Sequence, residues 1–111
     1  MAIFKVTIRQ EGKTERFTRD ALEPALDLLE FELRALAGSS RRDALSGIAR
    51  QYEPGEIVAV RGEIAGRRVR GGVDVRGDGS SEAFTGRVRR SLVTARDGES
   101  AYDALRRTLM G

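Results

Sequence analysis

Residues 67–90 read RRVRGGVDVRGDGSSEAFTGRVRR. Whether they form an arginine-glycine tail or a pair of strands decides the fold. The stretch holds seven arginines, one Arg-Gly-Gly at 70–72 and one Arg-Gly-Asp at 76–78. Within residues 67–76, Val69, Val73 and Val75 alternate with Arg68, Arg70, Asp74 and Arg76. Successive side chains of a strand point to opposite faces, so this period of two predicts a strand with its valines inward. GDGSS (77–81) supplies a turn. EAFTGRVRRSLVTA (82–95) predicts the next strand, with Phe84, Val88 and Leu92 inward and Arg87 and Arg89 outward. Arg90 falls on the apolar side, which predicts a bulge or an early end there. A disordered tail would not alternate, so the stretch reads as two neighbouring strands and their turn.

Working outward, IFKVTIRQ (3–10) alternates strictly. Phe4, Val6 and Ile8 share one face, and Lys5, Thr7 and Arg9 the other. Glu11-Gly12 predicts a tight turn into a short strand, TERFT. EIVAVRGEIAG (56–66) predicts a further strand with Val58, Val60 and Ile64 on one side and Arg61 and Glu63 on the other. Between these strands, DALEPALDLLEFELRALAG (20–38) predicts a helix, capped by Asp20 with Glu23, holding Pro24 in its first turn and stopping at Gly38. Leu22, Leu26, Leu29, Leu33 and Leu36 make a seam for the core. Leu28, Phe31 and Ala35 make a second apolar strip on the opposite side, which needs its own cover. SSRRDALSGIARQY (39–52) predicts a short second helix that could fold back on Phe31. The last helix, SAYDALRRTLM (100–110), carries the capping-box spacing Ser100/Asp103 and an i,i+4 pair, Asp103/Arg107.

A chain of 111 residues, 40% apolar and 33% charged, fits one globular domain, residues 1–111, with one hydrophobic core. No apolar run approaches the ~20 residues of a membrane helix. The start, MAIFKVTIRQ, holds no apolar core of signal-peptide length. A cytoplasmic protein without membrane contact is expected. The net charge of +3 and the pI of about 9.9 point toward acidic partners. Arginine supplies 18 of the 20 basic residues and asparagine is absent. That bias also arises from GC-rich codons, so the sign of the charge says more than the choice of arginine.

The local motifs exclude more than they assign. A lone Arg-Gly-Gly inside an alternating strand is not a repeat-bearing RNA tail, and Arg76-Gly77-Asp78 would need a secreted setting to act in adhesion. DVRGDGSSE resembles a calcium loop, but Arg76 stands where an oxygen ligand is required and Thr85 where the closing Glu belongs. Gly77-x-Gly79 lacks the third glycine of a dinucleotide fingerprint, with Glu82 in that place, and no P-loop exists. Without His or Cys, the usual bases, nucleophiles and metal ligands are missing. Glu53, Glu56 and Glu63 sit among turn and strand residues that need no chemistry. No enzymatic activity, cofactor or metal is expected.

What remains is distributed charge. The outward positions of the strands collect Lys5, Arg9, Arg61, Arg68, Arg70, Arg76, Arg87 and Arg89 against Glu63 and Asp74, a large positive excess on one sheet face. It lacks exposed aromatics for base stacking, so phosphate contact or an acidic protein fits best. The expected fold is α+β: a two-layer sandwich, mostly antiparallel, with helices on one face and the order β(β)ααβββα. In layout that order resembles ribosome-hibernation factors and, without the first strand, double-stranded-RNA-binding domains. FTRDAL (17–22) and the join VTARDGESAYDAL (93–105) carry the resemblance to the former. Residues 38–55 are extra, and Glu99 and Asp103 stand where an RNA-binding helix would carry lysines. Two functions are expected in parallel. One is a small non-enzymatic protein contacting nucleic acid or another polyanion through Arg61, Arg68, Arg70, Arg76, Arg87 and Arg89. The other is an assembly module, self-associating or serving as a subunit, through Leu28, Phe31 and Ala35.

Overall fold

A computed structural model describes residues 3–46, 58–86 and 89–111. The chain is mixed α+β. Strand β1 (Phe4–Gln10) turns back into β2 (Lys13–Arg19), and helix α1 (Leu22–Ser46) follows. Then come β3 (Val58–Gly66), β4 (Val69–Arg76), β5 (Ser81–Thr85), β6 (Ser91–Val93) and helix α2 (Ala101–Met110). The six strands make one antiparallel sheet in the order β2-β1-β3-β4-β5-β6. The sheet departs from a meander in the passage from β2 through α1 to β3, which skips over β1.

The period-two pattern sets the faces. Val6 pairs with Ile64, Val60 with Val75, and Val73 with Gly62 and Ala83, all on one side. These residues are buried together with Leu26, Leu29 and Leu33 of α1 and Ala101, Tyr102 and Leu105 of α2 in one hydrophobic core. Glycines let the helices come close. A Cβ on Gly62 would lie 2.7 Å from Leu33 Cδ1, and one on Gly71 would lie 3.1 Å from Leu105 Cδ1. Leu26, Leu29 and Leu33 of the α1 seam therefore pack as their spacing predicts, against β1, β3 and β4, while Val58, expected on the same side as Val60, is 39% exposed beyond a register shift between the two.

Four local expectations are corrected. Helix α1 does not stop at Gly38 but continues to Ser46. An interior glycine costs only about 1 kcal/mol relative to alanine, too little to end a helix by itself. No separate helix starts at Ser40, and the rest of that expectation, residues 47–52, lies outside the described residues. At the start of α1 the first-turn bond runs from the Ala25 N–H to the Ala21 carbonyl, so the cap position is Ala21, not Asp20. Residues 82–95 are not one strand. β5 ends at Thr85, Gly86 takes φ +93°, and β6 returns to pair Ala83 with Val93 and Phe84 with Leu92. That φ lies in the left-handed region open to glycine, which is why the chain reverses there.

Helix α2 keeps its capping box: the Ser100 hydroxyl accepts from the Asp103 N–H, and the Asp103 carboxylate accepts from the Ser100 N–H. Asp103 is therefore occupied, and Arg107 pairs instead with Glu99, at 2.9 and 3.0 Å. The Arg107 guanidinium, with help from the Arg96 N–H, lowers the Glu99 pKa from 4.5 to about 2. A carboxylate whose pKa falls on folding stabilises the fold above its unfolded pKa, and that support is lost as pH falls toward the folded value. Glu99→Gln should thus unfold at a slightly lower temperature than wild type near neutrality. The gap should close as pH drops through 4.5 toward about 2. Thermal unfolding across that range checks it, and a gap independent of pH would exclude the pairing.

Candidate functional site

The face of the sheet away from the helices is built in cross-strand rows. Reading across β1, β3, β4 and β5, one row is Arg9, Arg61, Asp74 and Glu82. The next is Thr7, Glu63, Gly72 and Phe84, extended by Leu92 of β6, and the third is Lys5, Ala65 and Arg70. Arg16 of β2 lies beside Thr7.

Phe84 is the main departure from the sequence expectation. Its register partner is Gly72, so it points to this outer face, while Ala83, beside Val73, points to the core. The ring is nevertheless only 3% exposed. Sterics explain the choice. Ala83, fully buried beside Val73, puts only a methyl group on the core side, whereas Gly72 leaves a hollow on the outer side. The ring fills it: a Cβ on Gly72 would sit 2.7 Å from Phe84 Cζ. Two arginines close over the ring, with Arg90 Cζ at 4.7 Å and Arg61 Cζ at 5.7 Å from its centroid. Both lie within cation–π range. Leu92, expected inward, shares this outer side and is exposed.

The predicted arginines scatter accordingly. Arg61, Arg70 and Arg76 lie on the outer face. Arg68 does not: it sits in the two-residue turn between β3 and β4 with φ +63°. Arg89 is exposed in the connection from β5 to β6, and Arg87 lies outside the described residues. The pattern does end before Arg90, as expected, since β5 stops at Thr85; Arg90, in the segment before β6, and Glu82 of β5 both belong to this face. The signal that could have found them is the glycine of Thr85-Gly86-Arg87, which marks a hairpin turn rather than a strand interior. Among the described residues the face carries Lys5, Arg9, Arg16, Arg61, Arg70, Arg76 and Arg90 against Glu63, Asp74 and Glu82. The rest of the chain is close to neutral: with seven of the 20 basic and three of the 17 acidic residues on this face, 13 basic and 14 acidic residues remain.

Not all of these cations are available. Arg61 grips Asp74 with two nitrogens, at 2.5 and 3.0 Å, and that bond raises its pKa further above the usual arginine value. Arg76 donates to Glu82 at 3.0 Å. Arg9 and Arg90 approach Glu63 only to 3.4 and 3.7 Å. Lys5 and Arg70 enter no ion pair among the described residues and are exposed. Beside Arg70 opens a cleft of about 310 Å³, lined also by Arg9, Arg61, Glu63, Phe84 and Arg90. Such an arrangement can hold an anion. Among the described residues, no group of three His, Cys, Asp or Glu side chains is placed to hold a metal ion.

The residues expected at a protein interface lie on α1. Phe31 is 70% exposed and Ala35 is exposed, while Leu28 is half-buried against the core. Residues 45 and 46 belong to the same helix and do not fold back on Phe31. Among the described residues, no helix is long and apolar enough to cross a membrane. Compared with models of protein families, with curated proteins and with solved structures, the chain matches none.

Proposed function

We propose that the protein is a non-enzymatic binder of phosphate-bearing polyanions, nucleic acid foremost, acting in the cytoplasm through the outer face of its sheet. In this reading the chain is a two-layer sandwich whose helices cover one face and leave the other to the ligand. The observation that carries it is the one-sided charge: seven basic groups against three acidic ones on the outer face, while the rest of the chain is close to neutral. An extended polyanion meets such a face in one orientation, steered by the field of the whole molecule. Phe84 is covered and no other aromatic shares the face among the described residues, so binding runs through phosphates and carries little sequence preference. Changing Lys5, Arg9, Arg70 and Arg90 together to alanine removes no atom of the helix-side core. It should flatten the salt dependence of duplex binding by about 0.9 in log–log slope for each phosphate that the variant leaves unneutralised. Titrations of wild type and variant between about 50 and 200 mM salt measure this. An unchanged slope would place the binding surface elsewhere.

The exposure of Phe31 favours a second reading, an assembly module that uses Leu28, Phe31 and Ala35. Light scattering of wild type and Phe31→Ser separates the two. Self-association abolished by the substitution supports the assembly module, and a monomer unaffected by it leaves the sheet face as the functional surface.

A further inference from the structure

The cleft beside Phe84 differs from the rest of the charged face in how its ions are matched. At the neighbouring pairs each carboxylate has one close guanidinium: Asp74 takes Arg61 through both oxygens, and Glu82 takes Arg76. In the cleft a single oxygen, Glu63 Oε1, stands between Arg9 at 3.4 Å and Arg90 at 3.7 Å. Both distances exceed the 2.7–3.2 Å of a well-formed N–H···O bond. One carboxylate thus serves two guanidinium groups and bonds tightly to neither, and Arg70, which enters no ion pair among the described residues, lines the same cleft.

We propose that this cleft is a phosphate subsite in which Glu63 is the resident anion that an incoming phosphate displaces. This rests on the anion-binding reading of the outer face and assigns one place on it. The first of three features favours phosphate over a carboxylate, and the other two favour an anion of its size. The donors come from three parts of the chain: Arg9 from β1, Arg70 from β4, and Arg90 from the segment before β6. Tetrahedral phosphate oxygens accept from several directions at once, whereas a planar carboxylate suits a single fork. Second, Arg61 and Arg90 are held over the Phe84 ring, so Arg90 loses less freedom when it turns its nitrogens to an anion. Third, the cleft, about 310 Å³, has room for a phosphate group and its ester link. Glu63, whose side chain is already one-third exposed, turns its displaced carboxylate to water. Glu63 therefore weakens phosphate binding and keeps the arginines from closing on weaker anions.

The test compares Glu63→Gln, which keeps the side-chain volume, with Glu82→Gln. The latter makes the same change of charge on the same face but outside the cleft. Arg90→Lys keeps the charge and removes the planar fork. Inorganic pyrophosphate is the free-phosphate probe, followed by calorimetry, and a short DNA duplex is the ester probe, followed by fluorescence anisotropy. Glu63→Gln should tighten pyrophosphate binding about two- to fivefold, the scale of one exposed ion pair, and by more than Glu82→Gln does. Arg90→Lys should weaken it. Equal effects of the two glutamine variants, or no pyrophosphate binding by either wild type or Glu63→Gln, would overturn the subsite. The duplex separates this failure from that of the broader reading. Salt-sensitive duplex binding with indistinguishable glutamine variants removes the subsite and leaves the polyanion face. A Glu63-specific gain with pyrophosphate but no duplex binding keeps the subsite and shows that its ligand is a free phosphate.

Discussion

Phe84→Ala is expected to lower the unfolding free energy by about 3–5 kcal/mol, as truncation of a buried phenylalanine does. The size is unusual for a residue outside the helix-side core. The ring is 3% exposed because Gly72 beneath it has no side chain and because Arg61 and Arg90 lie over it. Its removal leaves a hollow over Gly72 and takes away two cation–π interactions of roughly 0.5–1 kcal/mol each. Water can enter from the outer side, which favours the lower end of the range. Phe84→Leu keeps much of the apolar volume and should cost less. Urea unfolding of both variants checks the order. A loss below about 1 kcal/mol for Phe84→Ala would show that the ring is not the plug of the outer face.

Leu29→Ala is expected to cost about 2–5 kcal/mol. Leu29 is 1% exposed in the middle of the α1 seam, and its Cδ1 would lie 2.5 Å from a Cβ built on Gly62. The two positions share one space, so their substitutions should not add. Gly62→Ala alone pushes against Leu29 and Leu33 and destabilises by about 1–3 kcal/mol. In the Leu29→Ala background the new methyl group meets only Leu33 and fills part of the cavity. A double-mutant cycle should return a coupling of at least about 0.5 kcal/mol in the rescuing direction. Strict additivity would mean that α1 does not rest on Gly62.

How much of the fold was legible in the sequence follows from particular residues. The strands with strict alternation, Phe4–Gln10 and Val69–Arg76, were readable because one face of each is buried and the register admits no slip. The leucine seam of α1 and the capping box of α2 were readable because both are local patterns. What failed depended on partners distant in sequence. Phe84 looked like a core residue because it is large and apolar, and only the pairing of β5 against Gly72 reveals that the vacant space lies on the other side. That error in parity carried Leu92 with it. Gly38 looked like a helix stop, yet nothing in the local sequence weighs one glycine against the helix that continues to Ser46. The charge of the outer face was legible in sign. Its neutralisation was not, because Arg61 with Asp74 and Arg76 with Glu82 meet only once the strands are in register.

The central claim, that the outer face of the sheet is the binding surface, is tested most directly by mapping the bound duplex on isotope-labelled protein. Backbone amide and arginine Nε–H resonances are followed by nuclear magnetic resonance while a short duplex is added at about 50 mM salt, where electrostatic binding is strong. The expected result is movement of the Arg9, Arg70 and Arg90 side-chain signals and of the β1, β3 and β4 amides, with Phe31 and its neighbours on α1 unmoved. No movement at all, or movement centred on Phe31, would contradict it.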